Sequence, residues 1–352
     1  MKSIEKYRVI NDEYIGKIAS EMDYFLFAAK KWAYEDYLWP FSDFDYRIVI
    51  KDGSDIDFFR LNEILYIVQL QMQTENPQLR RIMEHPPGYI FFESEIMTDY
   101  LEDFRIWSFA GGNSEKFFEF KNFLDSRKDF DQCFYQKIIE KRYRKFSFKT
   151  EYRDYTKDII TTYEIYCVLW HYYFPCMFAI QSLKEGRSKG QKIHKDFLKP
   201  GFISDTFQRL HDVGSHFDAM DISFVIGEVE KPIAEEISEV VYDNADNDNY
   251  MTMSFVEAMG MMRTRIARLR LYLEQDKIDR HYLAIREIAE LNNMFSTLYQ
   301  YSGIGKFAET LSILHLDIRE EERLRMLLRH LYNNRMYYND FMNCTDLNKD
   351  SS

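Results

Sequence analysis

Phe41-Ser42-Asp43-Phe44-Asp45-Tyr46-Arg47-Ile48-Val49-Ile50 is the stretch around which this chain is organised. It alternates residue by residue, as a strand does. Asp43, Asp45, Arg47 and Val49 fall on one face; Phe44, Tyr46, Ile48 and Ile50 fall on the other. Two carboxylates two residues apart on a strand share a face, roughly 7 Å apart at the backbone. They repel unless a cation sits between them. Magnesium takes oxygen ligands from such carboxylates and from the phosphates of a substrate. The plainer alternative is an edge strand with a solvated acidic face. The acids open an apolar run directly after Pro40-Phe41-Ser42, which argues for a built site.

Working outward, Ile15, Ile18, Ala19, Met22, Phe25 and Leu26 have helical spacing within 13–37, but residues 24–29 read equally well as a strand. Lys51-Asp52-Gly53 is a turn, after which Ser54 or Asp55 caps a helix over about 56–74. A second alternation runs from Glu102 to Phe109 and ends at Ala110-Gly111-Gly112, with Asp103 leading it. Helices are expected at about 114–125, 129–141, 156–184, 202–217, 229–242, 252–274, 278–301 and 304–342. The most apolar stretch, Tyr163 to Leu183, carries Glu164, His171 and Pro175, and reads as a buried, kinked helix better than as a membrane span. The expected fold is α+β: a small mixed sheet within 1–125, a large helical domain over 126–342, and a frayed tail over 343–352.

Composition narrows the partners. A hydrophobic fraction of 46% across 352 residues supports a sizeable core, and few Gly (13) and Pro (7) favour long helices. A net charge of −12 argues against general nucleic-acid binding, which needs clustered cations, and favours a cationic, metal-bound or neutral partner. Cys133, Cys167, Cys176 and Cys344 form no CxxC pair or zinc-like spacing, and the first residues form no signal-peptide core. A cytoplasmic protein with reduced thiols, off the membrane, is the expectation.

The order strand, Asp-x-Asp strand, helix, later acid, helical domain resembles the polymerase-beta-type nucleotidyltransferases, over the first third of the chain. The motif that carries the resemblance is Ser42-Asp43-Phe44-Asp45, preceded by Pro40-Phe41. The resemblance implies one or two magnesium ions held by Asp43, Asp45 and Asp103, with Glu93 or Glu95 as substitutes for the third acid. It implies attack on the alpha-phosphate of a nucleoside triphosphate and transfer of the nucleoside monophosphate to a small-molecule acceptor. The acidic balance suits a cationic, aminoglycoside-like acceptor. Lys30, Ser42 and Arg47 are the candidates for holding the nucleotide. The family's Gly-Ser turn is missing: Ala28-Ala29-Lys30 stands in its place. Gly lets the backbone approach a phosphate, and Ala in that shape costs about 1 kcal/mol or more. That departure supports a second expectation, a catalytically degenerate fold serving as a binding or protein-interaction module.

Other constellations are weaker. The run 243–249 invites calcium, but from Asp246 the loop has Tyr250 at position five and Met251 where Gly is required. His211 and His216 are five apart and point in different directions on a helix. Arg325 and His330 match an Arg-x4-His nuclease pattern that basic helices produce by chance. Asn249 and Glu257 have the outer spacing of a terpene-synthase motif, with Met253 where Ser or Thr belongs.

Overall fold

Tyr7, Ile10, Tyr14, Ile15, Ile18 and Met22 recur at three- and four-residue steps, so helix α1 (Ser3–Glu21) buries one continuous stripe. In this computed structural model the described residues are 3–53, 56–83, 88–98, 102–126, 159–160, 162–188, 201–212, 216–238 and 255–274, with isolated positions between 132 and 142 and at 287 and 291. Apart from those two positions, the expected helices at 278–301 and 304–342, the 243–249 loop, Arg325, His330 and the tail lie outside them.

After α1 the chain enters β1 (Phe25–Lys31), so of the two readings of residues 24–29 the strand is realised. β2 (Tyr46–Ile50) pairs antiparallel with it. Asp57 caps α2 (Phe58–Glu75), its carboxylate accepting from the Phe59 and Arg60 amides at 3.0 and 3.2 Å. A short α3 (Leu79–Ile82) leads to β3 (Tyr89–Phe92), parallel to β2, and to α4 (Glu93–Thr98). A 3-10 turn (Glu102–Ile106) precedes β4 (Trp107–Gly112), which pairs antiparallel with β1; α5 (Ser114–Ser126) follows. The sheet order is β3-β2-β1-β4, a mixed sheet.

The remaining described elements are mostly helical. A small antiparallel ladder joins β5 (Ile159–Ile160) to β6 (Phe217–Asp218). Between them, α6 (Thr162–Val168) passes through a π turn (Leu169–Tyr173) into α7 (Phe174–Glu185), followed by α8 (Phe202–His211). Pro175 has no amide to give the preceding turn, and the Phe174 amide reaches back to the Leu169 carbonyl, so the expected kink takes the form of a wide turn. An Asp218–Asp221 capping box starts α9 (Ala219–Ile237); α10 (Phe255–Glu274) completes the set. Among the described residues, no helix is long and apolar enough to cross a membrane.

The sheet separates two cores. Tyr46, Ile48 and Ile50 face one, beneath α1, α2 and α10; Val49, Phe27, Ala29 and Phe91 face the other, beneath α5, α6, α7 and α9. Phe44 extends the first set, as the alternation predicts. Both cores draw on residues from each side of position 125. Helix α10 closes the β3 edge: its Thr264 hydroxyl accepts from the Ile90 amide at 3.1 Å. It comes this close because Gly260 has no side chain; a Cβ there would stand 2.4 Å from the Phe91 ring.

Candidate functional site

Asp43 and Asp45 are both exposed, while Ser42, Phe44 and Tyr46 between and beside them are buried. The two carboxylates therefore leave the same side of an extended segment whose apolar residues anchor it, as expected. Ladder pairing itself starts only at Tyr46. The reason lies in β1. The Lys31 amide still reaches the Asp45 carbonyl at 3.1 Å, but at Trp32 the backbone turns left-handed (φ 67°) and leaves the sheet. The Phe44 amide finds the Ile82 carbonyl on α3 instead, at 3.2 Å. Asp43-Phe44-Asp45 is thus clasped between the end of β1 and α3.

Tyrosines from distant elements set this segment's position. The Tyr7 hydroxyl of α1 is shared between the carbonyls of Leu38 (2.9 Å) and Ser42 (2.8 Å). Tyr166 of α6 donates to Ser42 Oγ at 3.3 Å and stacks on Phe41, ring centroids 5.7 Å apart. Burial pushes the Tyr7, Tyr37 and Tyr166 hydroxyls well up, and the Asp43 charge pushes each further. They stay protonated, as donors beneath the carboxylates.

The three expected nucleotide-holding residues belong to the scaffold instead. Lys30 is 1% exposed and lies within β1, paired with Tyr46 and Ser108 rather than in a phosphate-facing turn. Its Nζ donates to the Trp32 carbonyl (2.7 Å) and Ser108 Oγ (3.0 Å) and lies 3.9 Å from the Tyr34 ring centre. These contacts hold the left-handed Trp32, a conformation that costs a bulky residue on the order of 1 kcal/mol or more. Burial pushes Lys30 down to about 8, against the opposing charges of Glu35 and Asp36. Ser42 is buried, its Oγ accepting from the Leu38 amide at 3.0 Å. Arg47 is buried with its guanidinium 4.4 Å from the Trp107 ring and 5.0 Å from that of Tyr89.

Asp103 lies in the 3-10 turn before β4, not on the strand as the alternation suggested. Phe104 turns inward against Phe91, Trp107 and Phe120, and Lys121 Nζ donates to the Arg105 carbonyl at 2.9 Å. Those contacts use the segment's pairing groups before the ladder begins. Because β2 and β4 both run antiparallel to β1, both start at the same end of the sheet, about two strand spacings (roughly 10 Å) apart. The Asp103 side chain lies outside the described residues. Its substitutes are spoken for: Glu95 is buried in a bidentate pair with Arg263 (2.5 Å), and Glu93 pairs with Lys116 at 3.0 Å. Among the described residues no three His, Cys, Asp or Glu side chains are grouped so as to hold a metal. Two exposed carboxylates offer the hard oxygen donors that magnesium prefers, so the pair fits part of such a site. His211 closes α8 and His216 precedes β6, both exposed.

One residue at this end was invisible in the sequence. Arg81, next to the Ile82 that bonds Phe44, is exposed, with its guanidinium 3.9 Å from the Tyr163 ring centre and 5.2 Å from that of Phe41. Tyr163 is 43% exposed and stacks on Tyr166, which stacks on Trp170. Burial raises the Tyr163 hydroxyl to about 12, with Asp43 raising it and Arg81 lowering it. Comparison with protein-family models, with curated proteins and with solved structures finds no match to this chain.

Proposed function

We propose that the open end of β2 binds a divalent cation together with a nucleoside triphosphate, and that the chain transfers the nucleoside monophosphate to a small-molecule acceptor. The observation that carries this reading is the exposed Asp43–Asp45 pair on a segment clasped between β1 and α3. Like charges held this close on a rigid segment favour a cation between them. In this reading Asp43 and Asp45 supply carboxylate ligands, with Asp103 as the third. When bound, magnesium neutralises charge developing on the transferred phosphoryl group and on the leaving pyrophosphate. The buried hydroxyls of Tyr7 and Tyr166 keep Ser42, and so Asp43, from shifting as ligand enters. The net charge of −12 favours a cationic acceptor of aminoglycoside type. Cys167 and Cys176, buried and outside any disulfide, fit a reducing cytoplasm.

A second reading has its own support. Lys30, Ser42 and Arg47 are all buried, so none is presented to a phosphate chain. That favours a module that binds a ligand without catalysis. Incubating the chain with each alpha-labelled nucleoside triphosphate, magnesium and a panel of aminoglycosides separates the two. Transfer of label that Asp43→Asn and Asp45→Asn abolish is the expected result. Binding of nucleotide with no label transferred to any acceptor selects the module.

A further inference from the structure

We infer that Arg81 is the anion-gripping residue of this site, taking the phosphate chain of the ligand in place of the missing Gly-Ser turn, with Tyr163 and Phe41 as the platform that aims it. This rests on the reading of the Asp43–Asp45 end as a phosphate-ligand site. Three observations converge on it.

The first is position. The Phe44 amide bonds to the Ile82 carbonyl, so the backbone that carries Arg81 is pinned to the residue between the two carboxylates. Phe41, one of its two rings, lies two residues before Asp43. The second is presentation. The guanidinium lies over aromatic faces at 3.9 and 5.2 Å while the residue as a whole is exposed. A planar cation stacked on rings keeps its N–H groups at its edge, where a phosphate is met bidentately. The third is charge. No described carboxylate forms an ion pair with Arg81, although Asp43 stands close enough to act on the same Tyr163 hydroxyl. Two carboxylates alone repel a triphosphate; a cation beside them offsets that repulsion. Two other described cations near this end are committed inward. Lys30 holds Trp32, and Arg47 packs on Trp107.

The rings also define the ligand. A stacked guanidinium meets two oxygens of one oxyanion, so the geometry favours an oxyanion over a simple halide or a neutral sugar, and the carboxylate pair beside it favours a metal-bound phosphate chain among oxyanions. Loss of ordering entropy on binding is small, because the rings already restrict the side chain.

The test is titration of inorganic tripolyphosphate with magnesium into the full-length chain by calorimetry. Wild type is expected to bind, and Arg81→Ala to bind about tenfold more weakly, the loss of one charge-assisted bidentate contact. Arg81→Lys keeps the charge but not the fork and is expected to recover only part of the affinity. Tyr163→Leu, which removes the platform, is expected to fall between wild type and Arg81→Ala. Because Arg81 is exposed, the melting temperature of the unliganded Arg81 variants should match wild type, which excludes a folding defect. Wild-type affinity in Arg81→Ala, or full recovery in Arg81→Lys, overturns the assignment to Arg81. No binding of tripolyphosphate by wild type overturns it as well. Loss of magnesium–triphosphate binding in Asp43→Asn but not in Arg81→Ala leaves the carboxylate reading standing while this one fails.

Discussion

At the β3 edge of the sheet, Glu95 and Arg263 close on each other inside the protein, Arg265 joins Glu287 and the Tyr89 hydroxyl, and Arg268 donates to the Gly88 carbonyl. At the start of β2, Asp43, Asp45 and Arg81 face solvent above tyrosines and a phenylalanine. Both regions combine acids, arginines and aromatic rings. In the first, each charge is matched within the protein, so the region is scaffold: it welds α10 to the sheet. In the second, the charged groups lie exposed, open to the ligand proposed above. Burial, not residue type, separates the two.

The largest effect expected from this contrast is at the closed end. Glu95→Ala leaves the Arg263 guanidinium buried without its carboxylate, and should cost about 3–5 kcal/mol in urea unfolding. Replacing Glu95 and Arg263 together by methionine should restore most of that loss. A single substitution costing less than about 1 kcal/mol would mean that water reaches the pair and that the contrast is false.

Lys30 gives the next effect, through pH. Its folded pKa of about 8 lies below the ordinary 10.5. Between those values the unfolded chain holds a proton that the folded chain has lost, so stability rises with pH by on the order of 3 kcal/mol. The hydroxyls of Tyr7, Tyr14, Tyr37 and Tyr46 have folded pKa values raised by burial, so above about pH 10 the unfolded chain sheds protons first and stability falls again. Lys30→Met should erase the rise and keep the fall. A wild-type curve that is flat from pH 8 to 10 would put the Lys30 ammonium in water, on the side of the ligand.

Gly260→Ala should cost about 1–3 kcal/mol, because the new Cβ meets the Phe91 ring and α10 must retreat from β3. An unchanged unfolding midpoint would show that the helix seat is loose. Asp43→Asn and Asp45→Asn carry the smallest effect on the unliganded chain, within about 1 kcal/mol, since both carboxylates are exposed. A loss of several kcal/mol in either variant would assign these acids to the scaffold.

The scaffold was legible where local pattern and tertiary packing agree. Phe44, Tyr46, Ile48 and Ile50 alternate in sequence and share one core. The wide turn before Pro175 fits its missing amide. Of the proposed site, only the acids stand out in the sequence. Arg81 lies 38 residues after Asp43, and only the Phe44–Ile82 contact brings it back. Lys30 reads as a phosphate-facing residue from its place in the missing Gly-Ser turn, yet β-pairing carries it between Tyr46 and Ser108. Nothing in the sequence singles out Arg263 and Arg268, because their partners, Glu95 and the Gly88 carbonyl, are more than 160 residues away. Long-range pairing of charges leaves no local periodicity to read.

Manganese titration followed by electron paramagnetic resonance, with and without a nucleoside triphosphate, tests most directly whether the open end of β2 holds a cation. The account predicts bound manganese in wild type, tightened by the triphosphate and lost in Asp43→Asn and in Asp45→Asn, while Glu95→Gln binds as wild type does. Equal manganese binding in wild type and both Asp variants, or none in wild type even with triphosphate present, would contradict it.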